Sequence, residues 1–286
     1  MFQKLAASWE LVKASARVLW ADKELLIFPI LSSIALFFVS AVFIVPMAFG
    51  GLFDALFSQN MQIGGLIVGF LFYTVQYTVI FFANTALVGA AMIRLDGGDP
   101  TVADGVRVAA KNFVNILGYA LIAATVGILM QRLNERSKGF GQMAVRMVGM
   151  AWNLATFLVV PVLAVEGVGP IEAVKRSVAL LKKTWGEQIA GNLGLGAVTG
   201  LAFFLVMMGG IALLVVGGIL GLPLWALIAG GVALVVVLML LGLVSSTLSG
   251  IYTAAVYKYA TKGEAGEWFD PEMIKHTFKA KLPAGM

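Results

Sequence analysis

Along the chain, long apolar runs alternate with short polar segments that carry nearly all of the charge. A helix needs about 20 apolar residues to cross the hydrocarbon layer of a bilayer. Six runs meet or approach that length: Leu25 to Phe49, Gly65 to Ile93, Phe113 to Met130, Val148 to Val165, Ile189 to Leu220, and Leu224 to Tyr257. The last two exceed what a crossing needs, so they should tilt, bend at glycine or project from the bilayer. The third and fourth are the shortest, and a full crossing and a re-entrant hairpin both stay open for them. The polar segments have a period of their own. Phe2, Leu5, Trp9, Val12, Ala16 and Trp20 form one stripe. Val102, Val106, Ala109 and Phe113 form a second, and Ile171, Val174, Val178, Leu181 and Trp185 a third. Steps of three and four predict amphipathic helices. Lying on the membrane surface, such helices would sink their stripes about 5–10 Å into the headgroup boundary. Lys175 and Lys182 flank the third stripe and can snorkel.

The even-numbered runs leave the membrane in one manner: through LDGGDP, VEGVGP and KGEAGEWFDP, each ending at a proline, Pro100, Pro170 or Pro271. Proline suits a first helical turn, where its missing N–H is not needed. Asp99 and Asp270 are placed to act as N-caps. The first and third amphipathic segments also share the spacing Glu-x-x-Lys-x-Ser, as Glu10, Lys13, Ser15 and Glu172, Lys175, Ser177. These features suggest three tandem units, 1–98, 99–168 and 169–270, with a short tail, 271–286. Each unit would be an interfacial helix followed by a two-span hairpin, and all three would point the same way, as in parallel repeats. The general need of membrane exits for proline and glycine explains the same features without repetition.

Composition agrees with the pattern. Of 286 residues, 60% are hydrophobic and 12% charged, against about 25% charged in ordinary soluble domains. So large an apolar excess calls for a bilayer as solvent. The fold class expected is all-α: a polytopic bundle of six spans with amphipathic helices on the cytoplasmic side. No cleavable signal is expected, because the first 24 residues mix acids and bases with no apolar core of signal type. Sixteen of the twenty Lys and Arg residues fall inside if the N-terminus is cytoplasmic, so both termini are placed there. The exception is the third loop, with Arg132, Arg136, Lys138 and Arg146. Trp20 and Trp185 lie at the inner boundary, Trp152 and Trp225 at the outer. Tyr252, Tyr257 and Tyr259 crowd the inner end of the sixth span, as headgroup-seeking rings do.

The chemistry on offer is sparse. Without cysteine there is no disulfide, thiolate metal site or thiol nucleophile, and His276 is the single histidine. No catalytic residue, metal site or cofactor is assigned. The net charge of +5 is modest, and the polar segments are too short for a nucleic-acid-binding domain. No charged residue lies near the middle of a span. Gln76, Asn84, Asn153 and Asn192 are the candidate intramembrane polar residues. Their ordinary role is hydrogen bonding between helices; lining a path for a neutral solute is the alternative. Lys175, Arg176, Lys182 and Lys183 form the densest basic cluster, of a size that can hold anionic lipid. Glu166 stands at an exit, where it can accept from the backbone N–H groups opening the next helix, neutralise Lys175 or Arg176, or meet a headgroup amine.

The stretches SWELVKASARVLWADKELLIFPILS and FLVVPVLAVEGVGPIEAVKRSVALLKKTWGE resemble a family of six-span prokaryotic membrane proteins of unknown function. The resemblance extends over nearly the whole chain. More distantly, the exit and helix pattern is similar to the membrane domains attached to some bacterial glycerophosphodiester phosphodiesterases. Their phosphodiesterase domain has no counterpart here. The resemblance implies a multi-pass protein of the cytoplasmic membrane, and it carries over no activity and no binding residue. The function expected is non-enzymatic: packing with membrane lipids, with another membrane protein, or with itself. The alternative is a channel or facilitator for a small neutral or amphiphilic solute.

Overall fold

The computed structural model describes residues 2–49, 62–185, 194–264, 266–270 and 274. Helices run in the order α1 (Phe2–Ala21), α2 (Ile27–Phe49), α3 (Gln62–Leu95), α4 (Val102–Lys111), α5 (Phe113–Arg136), α6 (Phe140–Ala155), α7 (Val159–Glu166), α8 (Pro170–Trp185), α9 (Gly194–Ile219) and α10 (Leu224–Lys262). One 3-10 turn, Lys23–Leu26, links α1 to α2, and no strand occurs among the described residues. Six stretches are long and apolar enough to cross a membrane: Lys23–Pro46, Gly64–Leu95, Phe113–Arg136, Phe140–Glu166, Val198–Ile219 and Leu224–Lys262. The protein is an all-α helical membrane bundle. At 24 residues α5 is about 36 Å long, enough for a hydrocarbon core of about 30 Å, so length does not force a re-entrant hairpin. The predicted start of the fifth span, Ile189, lies outside the described residues, as do Pro271 and the tail beyond Ile274.

The fourth candidate span is one run of residues but two helices. Thr156 to Leu158 interrupt it, and the cause is Pro161. Proline has no N–H to return to Phe157, and its ring would crowd that carbonyl in a continuous helix. In the third position of a new helix, α7, it costs nothing. The break leaves the Leu158 N–H free, and the Ser177 hydroxyl on α8 accepts it at 3.1 Å. Ser15 sits in the matching row of α1 and is equally buried, but its hydroxyl has no partner among the described residues. α1 packs against α9 and α10, and neither is interrupted over its described residues as the fourth span is.

Helices α1, α4 and α8 do not lie apart on a surface. Each packs into the bundle: α1 against α9 and α10, α4 against α3, and α8 against α7 and α10. This corrects the predicted stripes. In α1 the fully buried row is Leu11, Ser15 and Val18, while Trp9 and Trp20 are exposed. In α4 it is Gly105 and Ala109, running on to Asn112. In α8 it is Ala173, Ser177 and Leu180, while Ile171 is exposed. Each buried row includes a small or hydroxyl residue, Ser15, Gly105, Ala109, Ala173 or Ser177, and at Gly105 the helices approach closely. A Cβ on Gly105 would lie 2.6 Å from the Ala86 carbonyl oxygen and 2.5 Å from the Phe28 ring. Bulky residues of the predicted stripes, Trp9, Val106 and Ile171 among them, are exposed instead.

The core occupies one end of the bundle. It gathers Ala86 to Leu95 of α3, Leu158 to Leu163 around the start of α7, and Leu248 to Ala260 of α10, with the buried rows of α1 and α8. This is the end where the second, fourth and sixth spans finish, the elbow end. Gly250 of α10 lies so close to Leu87 of α3 that no Cβ fits without displacing that side chain. Toward the opposite, open end Phe37, Val42, Leu213, Met239 and Leu240 are exposed, although α9 and α10 still pack closely where Gly210 meets Leu234. In water such a surface would aggregate; in hydrocarbon it is at home.

Candidate functional site

Each exit ends in a glycine in the left-handed region. Gly97, Gly167 and Gly263 have φ of +87°, +64° and +77°, which lets the chain turn off the helix end at once. These turns concentrate charge where the spans converge, and two clamps result.

The first clamp joins α3 to α10. Lys258 is buried, its ammonium 2.8 Å from the Asp96 carboxylate and donating to the Leu95 carbonyl. Lys262 reaches the same carboxylate at 3.8 Å. Beside them, one Arg94 nitrogen donates to the Asp99 carboxylate at 3.1 Å and to the Gly98 carbonyl at 3.2 Å; the other reaches the Ala21 carbonyl at 3.4 Å. Asp99 is therefore not the cap of α4. Thr101 is, in a capping box with Asp104, and Glu24 accepts the Val102 N–H at 3.1 Å. The Thr101 hydroxyl and N–H hold the Asp104 carboxyl below its ordinary range. Burial pushes the neighbouring Asp22 carboxyl up, and one of its oxygens has no partner among the described residues.

The second clamp joins α7, α8 and α10. Both Glu166 oxygens accept from Arg176 at 3.1 Å, and one accepts the Tyr257 hydroxyl at 3.0 Å. Glu166 is held by these side chains, not by the N–H groups opening α8. Asn115 of α5 donates to the Gly167 carbonyl at 3.0 Å. Tyr257 and Tyr252 are buried in the core, not ranged along a headgroup belt, because α10 runs through the middle of this end.

The predicted basic cluster is therefore divided. Arg176 belongs to the clamp, Lys175 sits 3.9 Å from Glu172, and Lys182 and Lys183 are exposed in the last turn of α8. The predicted polar residues are divided as well. Gln76 donates to Ser40 at 3.0 Å, tying α3 to α2. Asn84 is half-buried on α3, Asn153 is exposed on α6, and Asn192 lies outside the described residues.

Clefts open in the helix seams. Between α3 and α5, toward the open end, one of about 560 Å³ is lined by Leu66, Phe70, Ile128, Leu129, Arg132 and Arg136. Beside it a smaller one of about 170 Å³ brings Tyr73, Tyr77 and Gln131 together. Between α2 and α3, near the core, a cleft of about 380 Å³ is bounded by Phe28, Leu31, Phe82 and Phe113 and is almost wholly apolar. Sequence reasoning missed these because each wall comes from a different span. The four basic residues of the third loop were the one hint.

Fold and clefts together define a multi-pass membrane protein with an ion-clamped end and open clefts in its helix seams. Residues 63–268 match the model of a family described as a family of unknown function, DUF6159, and the chain belongs to that family. The match takes in α3 to α10 and leaves out α1 and α2. Among curated proteins and among solved structures nothing matches.

Proposed function

We propose that this is a non-enzymatic multi-pass protein of a prokaryotic cytoplasmic membrane, with both termini cytoplasmic, that works by holding lipid in its helix seams. One observation carries the reading. The bundle buries its core at the elbow end alone and leaves apolar clefts open sideways, where acyl chains have access. Cavities of about 300–1,000 Å³ are the usual size of ligand sites, and the two larger clefts fall in that range. Native mass spectrometry of the detergent-extracted chain tests it. Lipid adducts that survive delipidating washes support the reading, and a bare polypeptide under the same conditions refutes it.

A second reading has one observation in its favour. Tyr73, Tyr77 and Gln131 line a polar cleft within the α3–α5 seam, and Gln76 lies on the same helix. A facilitator of a neutral or amphiphilic solute would use them. Solute flux in proteoliposomes, abolished by Tyr77→Phe with Gln131→Leu, would favour it over the first.

A further inference from the structure

We propose that the larger α3–α5 cleft is a site for one anionic phospholipid, with an acyl chain along Leu66, Phe70, Ile128 and Leu129 and the phosphate held by Arg132 and Arg136. The inference rests on the lipid reading above and names the lipid class and its place. Three observations converge. The cleft is apolar along its length and carries two arginines, the layout of an amphiphile and not of a soluble solute. Arg132 and Arg136 stand one turn apart on one face of α5, about 6 Å along the axis, so both can reach one phosphate. Neither makes an ion pair among the described residues: the nearby Glu135 accepts from Gln131, and no salt bridge includes either arginine.

Charge magnitudes favour an anion. The C-terminal end of α5 carries about half a negative charge from its dipole and Glu135 adds one more, and the two full guanidinium charges still outweigh them. On the facing wall α3 begins at Gln62, so it turns its positive end toward the same region. The assignment also accounts for an anomaly of the sequence. Basic residues on an outer loop run against the distribution that sets topology, and here two of the four have a ligand to hold. Guanidinium–phosphate pairs are among the strong hydrogen bonds.

The test is native mass spectrometry of the full chain with phosphatidylglycerol and phosphatidylcholine of identical acyl chains. The wild type should retain one phosphatidylglycerol with a preference on the order of tenfold. Arg132→Gln with Arg136→Gln should abolish the preference, and Ile128→Trp, which fills the cleft but keeps both arginines, should lower retention. Lys182→Gln with Lys183→Gln should change nothing. Both arginines are exposed, so the double variant should unfold at the wild-type temperature. Equal retention of the two lipids, or unchanged preference in the arginine variant, overturns the site while leaving the broader lipid reading standing. Retention of neither lipid removes both. Full displacement of phosphatidylglycerol by inorganic phosphate at equal concentration would mark a simple anion site and overturn the acyl-chain assignment.

Discussion

The two ends of this bundle are made of the same residue types and behave differently. At the elbow end, Leu87, Val88, Leu163 and Ile251 are buried against one another's helices, and ion clamps stitch the helix ends together. At the open end, Leu213, Met239 and Leu240 face outward. Hydrophobicity does not separate them. Among membrane helices it cannot, because lipid tails are as apolar as leucine. Close approach at small residues occurs at both, Gly250 against Leu87 at one and Gly210 against Leu234 at the other; what separates them is polar groups that find specific partners. The ion pairs and hydrogen bonds that tie separate helices together gather at one end, and the other end exposes its apolar side chains.

The largest loss should follow from opening the first clamp. Asp96→Ala leaves the buried Lys258 ammonium with only the Leu95 carbonyl. Breaking a buried pair costs about 3–5 kcal/mol, and because Asp96 is half exposed about 3 is expected in a detergent unfolding titration. Gly105→Ala puts a methyl group against the Ala86 carbonyl, which cannot give way, and overpacking of this kind costs about 1–3 kcal/mol. Ser177→Ala orphans the Leu158 N–H at the α6–α7 break, a loss of about 1–3 kcal/mol; Ser15→Ala, removing a hydroxyl with no partner, should cost nothing or stabilise. That contrast between two serines in matching rows is the sharpest internal control. Thr101→Ala removes the α4 cap at about 1 kcal/mol.

Acid should act through the same cap. The Asp104 carboxyl is depressed below 3.8, so the stability it adds is present above that value and is lost as pH falls through its lower folded value. Thr101→Ala should flatten this part of an acid titration of stability. At the open end, Leu240→Ala should shift stability by less than about 0.5 kcal/mol, since the exposed side chain exchanges one apolar neighbour for another.

Much of the architecture was legible in advance. Six candidate spans stand close to where local patterning placed them, with the fourth interrupted ahead of Pro161 and the start of the fifth outside the described residues. Periodicity could not say which face of α1, α4 or α8 meets protein. Each has a charged face and an apolar remainder, and beside a bilayer an apolar residue can meet protein or lipid alike, so hydrophobicity does not tell which residues are buried. Lys258, the first residue after the predicted sixth run, is the centre of the first clamp. Its partner, Asp96, is 162 positions earlier in the chain, and nothing local connects them. The break at Pro161 was readable in principle, but the α3–α5 cleft was not, because it belongs to neither helix alone.

Distance distributions between paired spin labels test the asymmetry directly. The chain lacks cysteine, so labels at Lys13 with Lys111 report the elbow end, and labels at Ser137 with Leu222 report the open end. In nanodiscs the first pair should give a narrow distribution and the second a broad one, since few buried contacts restrain it. Equal widths at the two ends would contradict a bundle held together from one side.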